Sequence, residues 1–257
     1  MLAVALLLSA QAFDALPSVL AFPVSMGRLR EARMSDELFF DFESKHFYWD
    51  LGIGGRTGVL RWDLHEGAFQ LDAEAAVFAR LDLERNREVL SADFLGGFIV
   101  AYDSGDDYQL KLEYRHVSSH LVDEYFETFA GARSNEYSRD AFILGMSAAP
   151  VDFLRIFSEL GFGFVHRGPA GPWHFNLGLE SASSELSAHP FVGLWTEISE
   201  DSGMRPQVDF QVGVEWRSEG MRSRLRVGVL GFFGPSPQLQ FIDRIEASAG
   251  LGAWIDL

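Results

Sequence analysis

Apolar and polar residues alternate along most of the chain from about residue 47, and this period of two predicts β-strands with two different faces. Residues 207–217 show the pattern most cleanly, because Val208, Phe210, Val212, Val214 and Trp216 alternate with polar residues and one glycine. A helix would mix the two sets, whereas a strand separates them. The same alternation predicts strands around residues 48–62, 69–83, 91–103, 108–115, 140–149, 153–166, 173–180, 190–199, 222–233 and 245–257.

The length of these strands indicates a membrane barrel. Several exceed the usual strand of a soluble sheet and suit a membrane crossing of ~9–11 residues. Aromatic residues lie near strand ends, as in an interfacial girdle: Tyr102, Tyr108, Trp173, Trp195, Trp216 and Phe232. The alternation continues to Leu257, where outer-membrane barrels usually end on an aromatic residue. We therefore predict an all-β, antiparallel transmembrane β-barrel of about 10–12 strands over residues 46–257; the alternative is a soluble, lipocalin-like barrel.

Composition narrows the classes of function. Hydrophobic residues make up 47% of the 257 residues, which excludes a disordered chain. The net charge of −16 argues against nucleic-acid binding, because phosphate backbones are repelled by an acidic protein. There is no cysteine, so disulfides and thiolate chemistry are excluded. No motif indicates a cofactor or metal, and none is expected.

The N-terminal residues indicate export. Residues 1–12 form an apolar run that ends in Ala10-Gln11-Ala12, the pattern of a signal-peptide cleavage site, although the usual basic residues are missing. Residues 13–45 show no clean period and are predicted to be a periplasmic lead-in or a strap at the barrel mouth. We expect a bacterial outer-membrane location, insertion by the barrel-assembly machinery, and contact with membrane lipids and lipopolysaccharide.

One connection is much longer than the others. Residues 119–139 are predicted to form an extracellular loop, and the spacing of Leu121, Tyr125, Phe126 and Phe129 predicts a short amphipathic helix within it. Mixed charges on the polar faces of the strands predict ion pairs that fill a small barrel rather than an open pore.

Residues 116–124 carry the densest group of polar side chains, which comprises His116, Ser118, Ser119, His120, Asp123 and Glu124. His116 and Ser118 continue the apolar face of Leu112 and Tyr114, so both should lie on the lipid-facing surface next to an interfacial tyrosine. Polar groups are costly there unless they lie at headgroup depth or serve a function.

This run, H-x-S-S-H-x-x-D-E, resembles a family of predicted bacterial outer-membrane proteins of unknown function. Its H-x-S part also resembles the catalytic run of outer-membrane phospholipase A and of the lipid A deacylase. That resemblance implies that Ser118 is a nucleophile and His116 its general base. Those enzymes carry Asn after the serine, where this chain has Ser119. Their third residue, which orients the histidine, could correspond to Asp123, Glu124, Glu127 or Asn135.

Three functions remain open for this motif. In the structural interpretation, Asp123 and Glu124 pin the long loop to lumen arginines such as Arg115, and the barrel has a structural or narrow-channel role. In the second, Ser118 and His116 hydrolyse the esters of phospholipid or lipid A. In the third, a helix would place His116, His120 and Glu124 on one face as metal ligands.

Overall fold

The computed structural model describes residues 12–105, 108–182, 188–217 and 223–256. Residues 1–11 of the predicted signal peptide lie outside the described part of the chain. The strands are β1 (Ala12–Ala15), β2 (Met34–Asp41), β3 (His46–Asp63), β4 (Ala68–Asp82), β5 (Glu88–Asp103), β6 (Tyr108–Leu121), β7 (Ser138–Val151), β8 (Leu154–Arg167), β9 (Trp173–Ala182), β10 (His189–Ser199), β11 (Pro206–Arg217), β12 (Arg224–Pro235) and β13 (Ile245–Asp256). One α-helix, α1 (Asp123–Thr128), and two 3₁₀ turns, Glu200–Ser202 and Leu239–Phe241, complete the elements of these ranges.

Strands β2 to β13 form a closed antiparallel barrel. Each strand pairs with the next one in the chain, and β13 pairs with β2, which closes the ring at twelve strands. The short β1 pairs with the last residues of β3, beyond the stretch of β3 that β2 covers. The predicted fold is therefore confirmed, and closure leaves no long unpaired edge among the described strands.

The outer and inner faces of the barrel wall differ in polarity, and this difference shows which face meets lipid. Outward positions carry exposed apolar side chains such as Phe98 (59%), Leu144 (59%) and Leu177 (57%). Inward positions carry buried charged and polar groups such as Glu113 and Gln211. A soluble barrel would show the opposite arrangement, so the apolar outer band identifies a lipid-facing surface. Among the described residues, no helix is long and apolar enough to cross a membrane.

Paired charges fill much of the lumen, as the mixed signs predicted. Arg80 bonds to Asp50 at 2.8 Å and to Glu246 at 2.7 Å. Lys111 bonds to Glu113 at 2.7 Å and to Glu159 at 2.6 Å. Arg56 and Asp72 form a further pair, in which the guanidinium Nε lies 3.0 Å from the carboxylate. Two of these contacts, Arg80–Glu246 and Lys111–Glu159, link strands that are not consecutive in the chain. In all of them a buried charge lies against an opposite one.

Residues 16–33 are here called the inserted segment, and most of the segment lies inside the barrel. Phe22 is 1% exposed and packs edge-on against Phe157 of β8 at 6.0 Å. The Met26 amide donates to Glu180 of β9, and Arg30 pairs with Asp93 of β5. The segment thus touches the wall at β5, β8 and β9 and occupies the lumen. The structure differs here from the predicted lead-in, because residues 13–45 contain the inserted segment and one wall strand.

The two ends of the barrel differ. The end where β13 finishes, called the terminal end, has short connections such as residues 64–67 and 152–153. The opposite end, called the loop end, carries the longest described connection, residues 122–137, which contains α1. The helix predicted within this loop is therefore present. Long loops and short turns at opposite ends are typical of outer-membrane barrels, whose long loops are extracellular.

Candidate functional site

A group of polar side chains interrupts the apolar outer face near the loop end of β6. Residues of β6 alternate between buried inward positions, such as Arg115 and Ser119, and outward positions, such as Leu112 and His116. His116 and Ser118 therefore share the lipid-facing side with Tyr114, as the alternation predicted. The His116 side chain is 43% exposed.

His116 is oriented by a carboxylate on the neighbouring strand. In the register of β6 and β7, His116 lies directly opposite Asp140. The His116 Nδ1 atom is 2.9 Å from Asp140 Oδ1, and the Tyr114 hydroxyl donates to the same oxygen at 2.7 Å. A carboxylate at Nδ1 favours the tautomer that carries its proton there, which leaves Nε2 as the basic nitrogen.

Ser118 lies two residues from His116 on the same face of β6. Positions two apart on a strand are separated by about 7 Å along the backbone, a gap that an imidazole ring and a serine side chain can bridge together. In this structure the ring is bonded to Asp140, and Ser118 Oγ is not hydrogen-bonded to it. His116 therefore contacts a carboxylate on β7 and has a serine two residues away on its own strand face, and the serine and the ring are not hydrogen-bonded to each other.

An opening in the outer surface adjoins the histidine. Gly96 of β5 lies directly opposite His116, and a Cβ atom built on Gly96 would meet nothing within 4 Å. The flanking outward residues, Phe94 and Phe98, face Ser118 and Tyr114 across the same strand pair. Gly96 thus forms the floor of a notch between two exposed phenylalanines, with apolar walls and an imidazole at its side.

Aromatic rings mark the depth of this group in the wall. Tyr114 packs against Phe142 at 6.2 Å and against Phe164 at 6.3 Å, and these two phenylalanines stack at 4.9 Å. Such an aromatic cluster on an outer face is typical of the boundary between hydrocarbon and headgroups. Ser118 lies beyond the cluster, toward the loop end of β6.

The other serine and histidine of the motif do not join this group. Ser119 is inward and 1% exposed, and its hydroxyl donates to Asp93. His120 is outward, and its ring packs edge-on against Phe94 at 5.8 Å. Ser119 therefore has a role in the lumen, and His120 lies at the outer rim.

The predicted anchoring of the loop by Asp123 and Glu124 is wrong. Both residues are exposed in the first turn of α1. Arg115, their predicted partner, is buried and bonds to Glu74 at 3.3 Å and to Glu113. Alternation along β6 explains why Arg115 does not reach these carboxylates. Arg115 points into the lumen, while α1 lies beyond the end of the wall.

Other contacts hold the loop, and they also exclude the third residues proposed from sequence. Asn135 donates from Nδ2 to the Leu239 carbonyl at 2.7 Å, and its amide N–H donates to Gln240 at 3.1 Å. Gln240 also donates to the Ser119 carbonyl at 2.8 Å. Asn135 is therefore engaged in the loop, Glu127 is exposed, and Asp140 is the residue that contacts His116.

The helical geometry required for the metal interpretation is not formed. Strand β6 continues to Leu121, and α1 begins only at Asp123. Within the described ranges, no group of three or more histidines and carboxylates is placed to hold a metal ion.

Asp140 is the residue that the sequence analysis missed. It begins the predicted strand at 140–149, where it shares a face with Phe142, Leu144 and Met146. A carboxylate that continues an apolar face is the same signal that singled out His116. The pairing of Asp140 with His116 depends on the register of two strands separated by a long loop, which the pattern alone does not define.

The family model for DUF1207, described as a protein of unknown function, matches residues 50–255 of this chain. The chain belongs to the DUF1207 family. The matched range contains His116, Ser118 and Asp140. No curated protein matches the sequence.

Three solved structures show the likeness of this DUF1207 chain to known barrels. A KdgM porin has a TM-score of 0.48 at 9% identity, over 87% of this chain and 98% of the porin. The β domain of the Bordetella autotransporter BrkA has a TM-score of 0.45 at 15% identity, over 88% and 98% of the two chains. A mutant porin of Rh. blastica has a TM-score of 0.33 at 11% identity, over 88% and 98%.

Proposed function

We propose that this protein is a lipid esterase of the bacterial outer membrane that uses Ser118, His116 and Asp140. The observation that carries the proposal is the 2.9 Å contact between His116 Nδ1 and Asp140 on the lipid-facing surface. Polar side chains are costly on that surface. A paired histidine and carboxylate beside a serine forms the arrangement that activates a hydroxyl for attack on an ester.

The chemistry follows from the order of the three groups. Ser118 Oγ attacks the carbonyl carbon of an acyl ester, and His116 Nε2 takes the hydroxyl proton. Asp140 stabilises the imidazolium that forms. The imidazolium then gives its proton to the departing alcohol oxygen, which leaves an acyl group on Ser118. Water, activated by the same imidazole, releases the fatty acid and restores the serine.

The surroundings suit a lipid substrate. The notch at Gly96 is apolar and open, so an acyl chain can lie between Phe94 and Phe98 with its ester beside Ser118. The inserted segment occupies the lumen, which favours a surface function over the narrow-channel role predicted from sequence. Phospholipid and lipid A both present acyl esters at this depth and are the substrate classes that we propose.

The test is fatty-acid release from phospholipid and from lipid A by detergent-purified protein. We expect release by the wild type and a loss of at least about a thousandfold in Ser118→Ala and His116→Ala, because the two groups act as a unit. Ser138→Ala and His120→Ala are matched controls, since both residues are on the same outer surface, and they should retain activity. No release by folded wild-type protein, or equal release by all variants, would leave the structural interpretation of the motif.

A further inference from the structure

Three arginines converge on the lumen at the terminal end of the barrel. Arg155 is near the start of β8, Arg217 ends β11 and Arg224 begins β12. All three are at inward-facing positions, in step with Phe157, Glu215 and Arg226. They line a cavity of about 380 Å³ and also a smaller one of about 130 Å³ next to it.

The strand register places two of these positive charges against each other. Arg217 and Arg224 are direct cross-strand partners. Like charges in this position are destabilising. Glu215 pairs with Arg217. Asp256 is opposite Arg224 in the sheet, but its carboxylate is 3.1 Å from Arg226 and 3.5 Å from Arg33.

Arg155 resembles Arg224 in that the carboxylate opposite it in the sheet is engaged by other groups. Its cross-strand partner is Glu180, a buried carboxylate. Glu180 accepts a hydrogen bond from the Ser25 hydroxyl at 2.9 Å and another from the Met26 amide, so the inserted segment holds it. Within the described part of the chain, neither Arg155 nor Arg224 has a direct ion pair or side-chain hydrogen bond. Among the described residues, the guanidinium donors of these two arginines are thus not used by other side chains, in a protein of net charge −16.

We propose that Arg155, Arg217 and Arg224 form a binding site for a small soluble oxyanion, a molecule that carries a phosphate or at least two carboxylates. Guanidinium groups offer planar pairs of donors that match the oxygens of such groups. A cavity of this volume is at the lower end of the range for small-molecule sites. Val19, Leu20 and Pro23 of the inserted segment also line the cavity and supply an apolar side for the rest of the ligand. The carboxylates of Asp103 and Asp256 are part of the same lining.

The direction of the arginines decides between a soluble ligand and a membrane lipid. Their strand positions face the lumen, whereas lipid meets the outward positions of the same strands. A bound anion would offset the repulsion between Arg217 and Arg224 and would bridge the inserted segment to the wall. This site is far from the outer-face group at the loop end, and it stands whether or not the esterase is active.

The experiment is isothermal titration of detergent-purified protein with pyrophosphate and with citrate. We expect one of them to bind, with affinity that falls as salt is raised. Arg155→Gln and Arg224→Gln should each weaken binding by about tenfold or more, because each removes charge-assisted hydrogen bonds. Arg85→Gln changes the net charge equally at the loop end and should leave the affinity unchanged.

Two results would overturn the site. One is the absence of heat from both anions with folded wild-type protein at low salt. The other is a loss of affinity in Arg85→Gln as large as that in Arg155→Gln and Arg224→Gln, which would show attraction by overall charge only. Anionic lipid vesicles serve as the third titrant, and binding that is limited to them would equally contradict a lumen site for a soluble anion.

Discussion

Polar side chains on the two faces of this barrel have different surroundings: those in the lumen are buried among opposite charges, and those on the outer face are partly exposed among apolar side chains. In the lumen, Arg80 is held by Asp50 and Glu246 and is 2% exposed. On the outer face, His116 is 43% exposed among apolar neighbours and contacts Asp140. The ion pairs of the lumen connect strands of the wall, and this structural role is enough to explain them. The outer pair is partly exposed, so neither His116 nor Asp140 is needed to neutralise a fully buried charge.

The largest effect should come from breaking a lumen network. Arg80→Ala leaves Asp50 and Glu246 buried without their partner, and breaking a buried pair in this way costs ~3–5 kcal/mol. We expect a lower free energy of unfolding, measured by denaturant titration in detergent, with esterase activity unchanged per folded molecule. Arg61→Ala breaks the partly exposed pair with Asp63 and should cost less than about 1 kcal/mol. Equal losses in both variants would contradict the structural role of the lumen charges.

Asp140→Asn should lower activity strongly and change stability little, in contrast to Arg80→Ala. The amide keeps the size of the side chain but no longer stabilises the imidazolium, so turnover should fall by about a hundredfold or more. Stability should change by less than about 1 kcal/mol, because the group is partly exposed at the surface. Fatty-acid release and denaturant titration on the same preparation separate the two effects. A stability loss as large as that of Arg80→Ala would make Asp140 a structural residue.

Filling the notch should give the smallest effect. Gly96→Leu projects a side chain into open space beside His116, so folding should be unaffected. An acyl chain would lose its position, and we expect kcat/KM to fall by about tenfold, which corresponds to ~1.4 kcal/mol. Ala249→Leu, an outward substitution on β13, is the matched control. Activity that is equal in both variants would show that the substrate does not use the notch.

The sequence predicted the wall well because each strand separates its residues between two solvents. It missed β2 because Asp36 of that strand points outward and Phe39 points inward, against the pattern. Asp36 is tolerated there since it accepts a hydrogen bond from Trp49 Nε1 at 2.8 Å. The fate of the inserted segment was also hidden, because its contacts are with distant strands and follow no period.

The sequence predicted two of the three residues of the candidate site, again from the alternation along a strand. His116 and Ser118 are on one strand, so alternation alone placed them side by side on the outer face. Asp140 is on the next strand, and its position beside His116 depends on the register across residues 122–137. Residues of the motif that were near in sequence, such as Ser119 and Glu124, lie on other faces. The alternation of inward and outward positions along each strand therefore predicted the residues of the site better than closeness in sequence did.

The most direct test of the account is whether Ser118 is an activated nucleophile. A lipid-like phosphonate that reacts with activated serines should form a covalent adduct on Ser118, located by peptide mass spectrometry. His116→Ala should abolish the adduct, and His120→Ala should leave it intact. Folded wild-type protein that forms no adduct, or that is labelled at other serines instead, would contradict the claim that the outer polar group is catalytic.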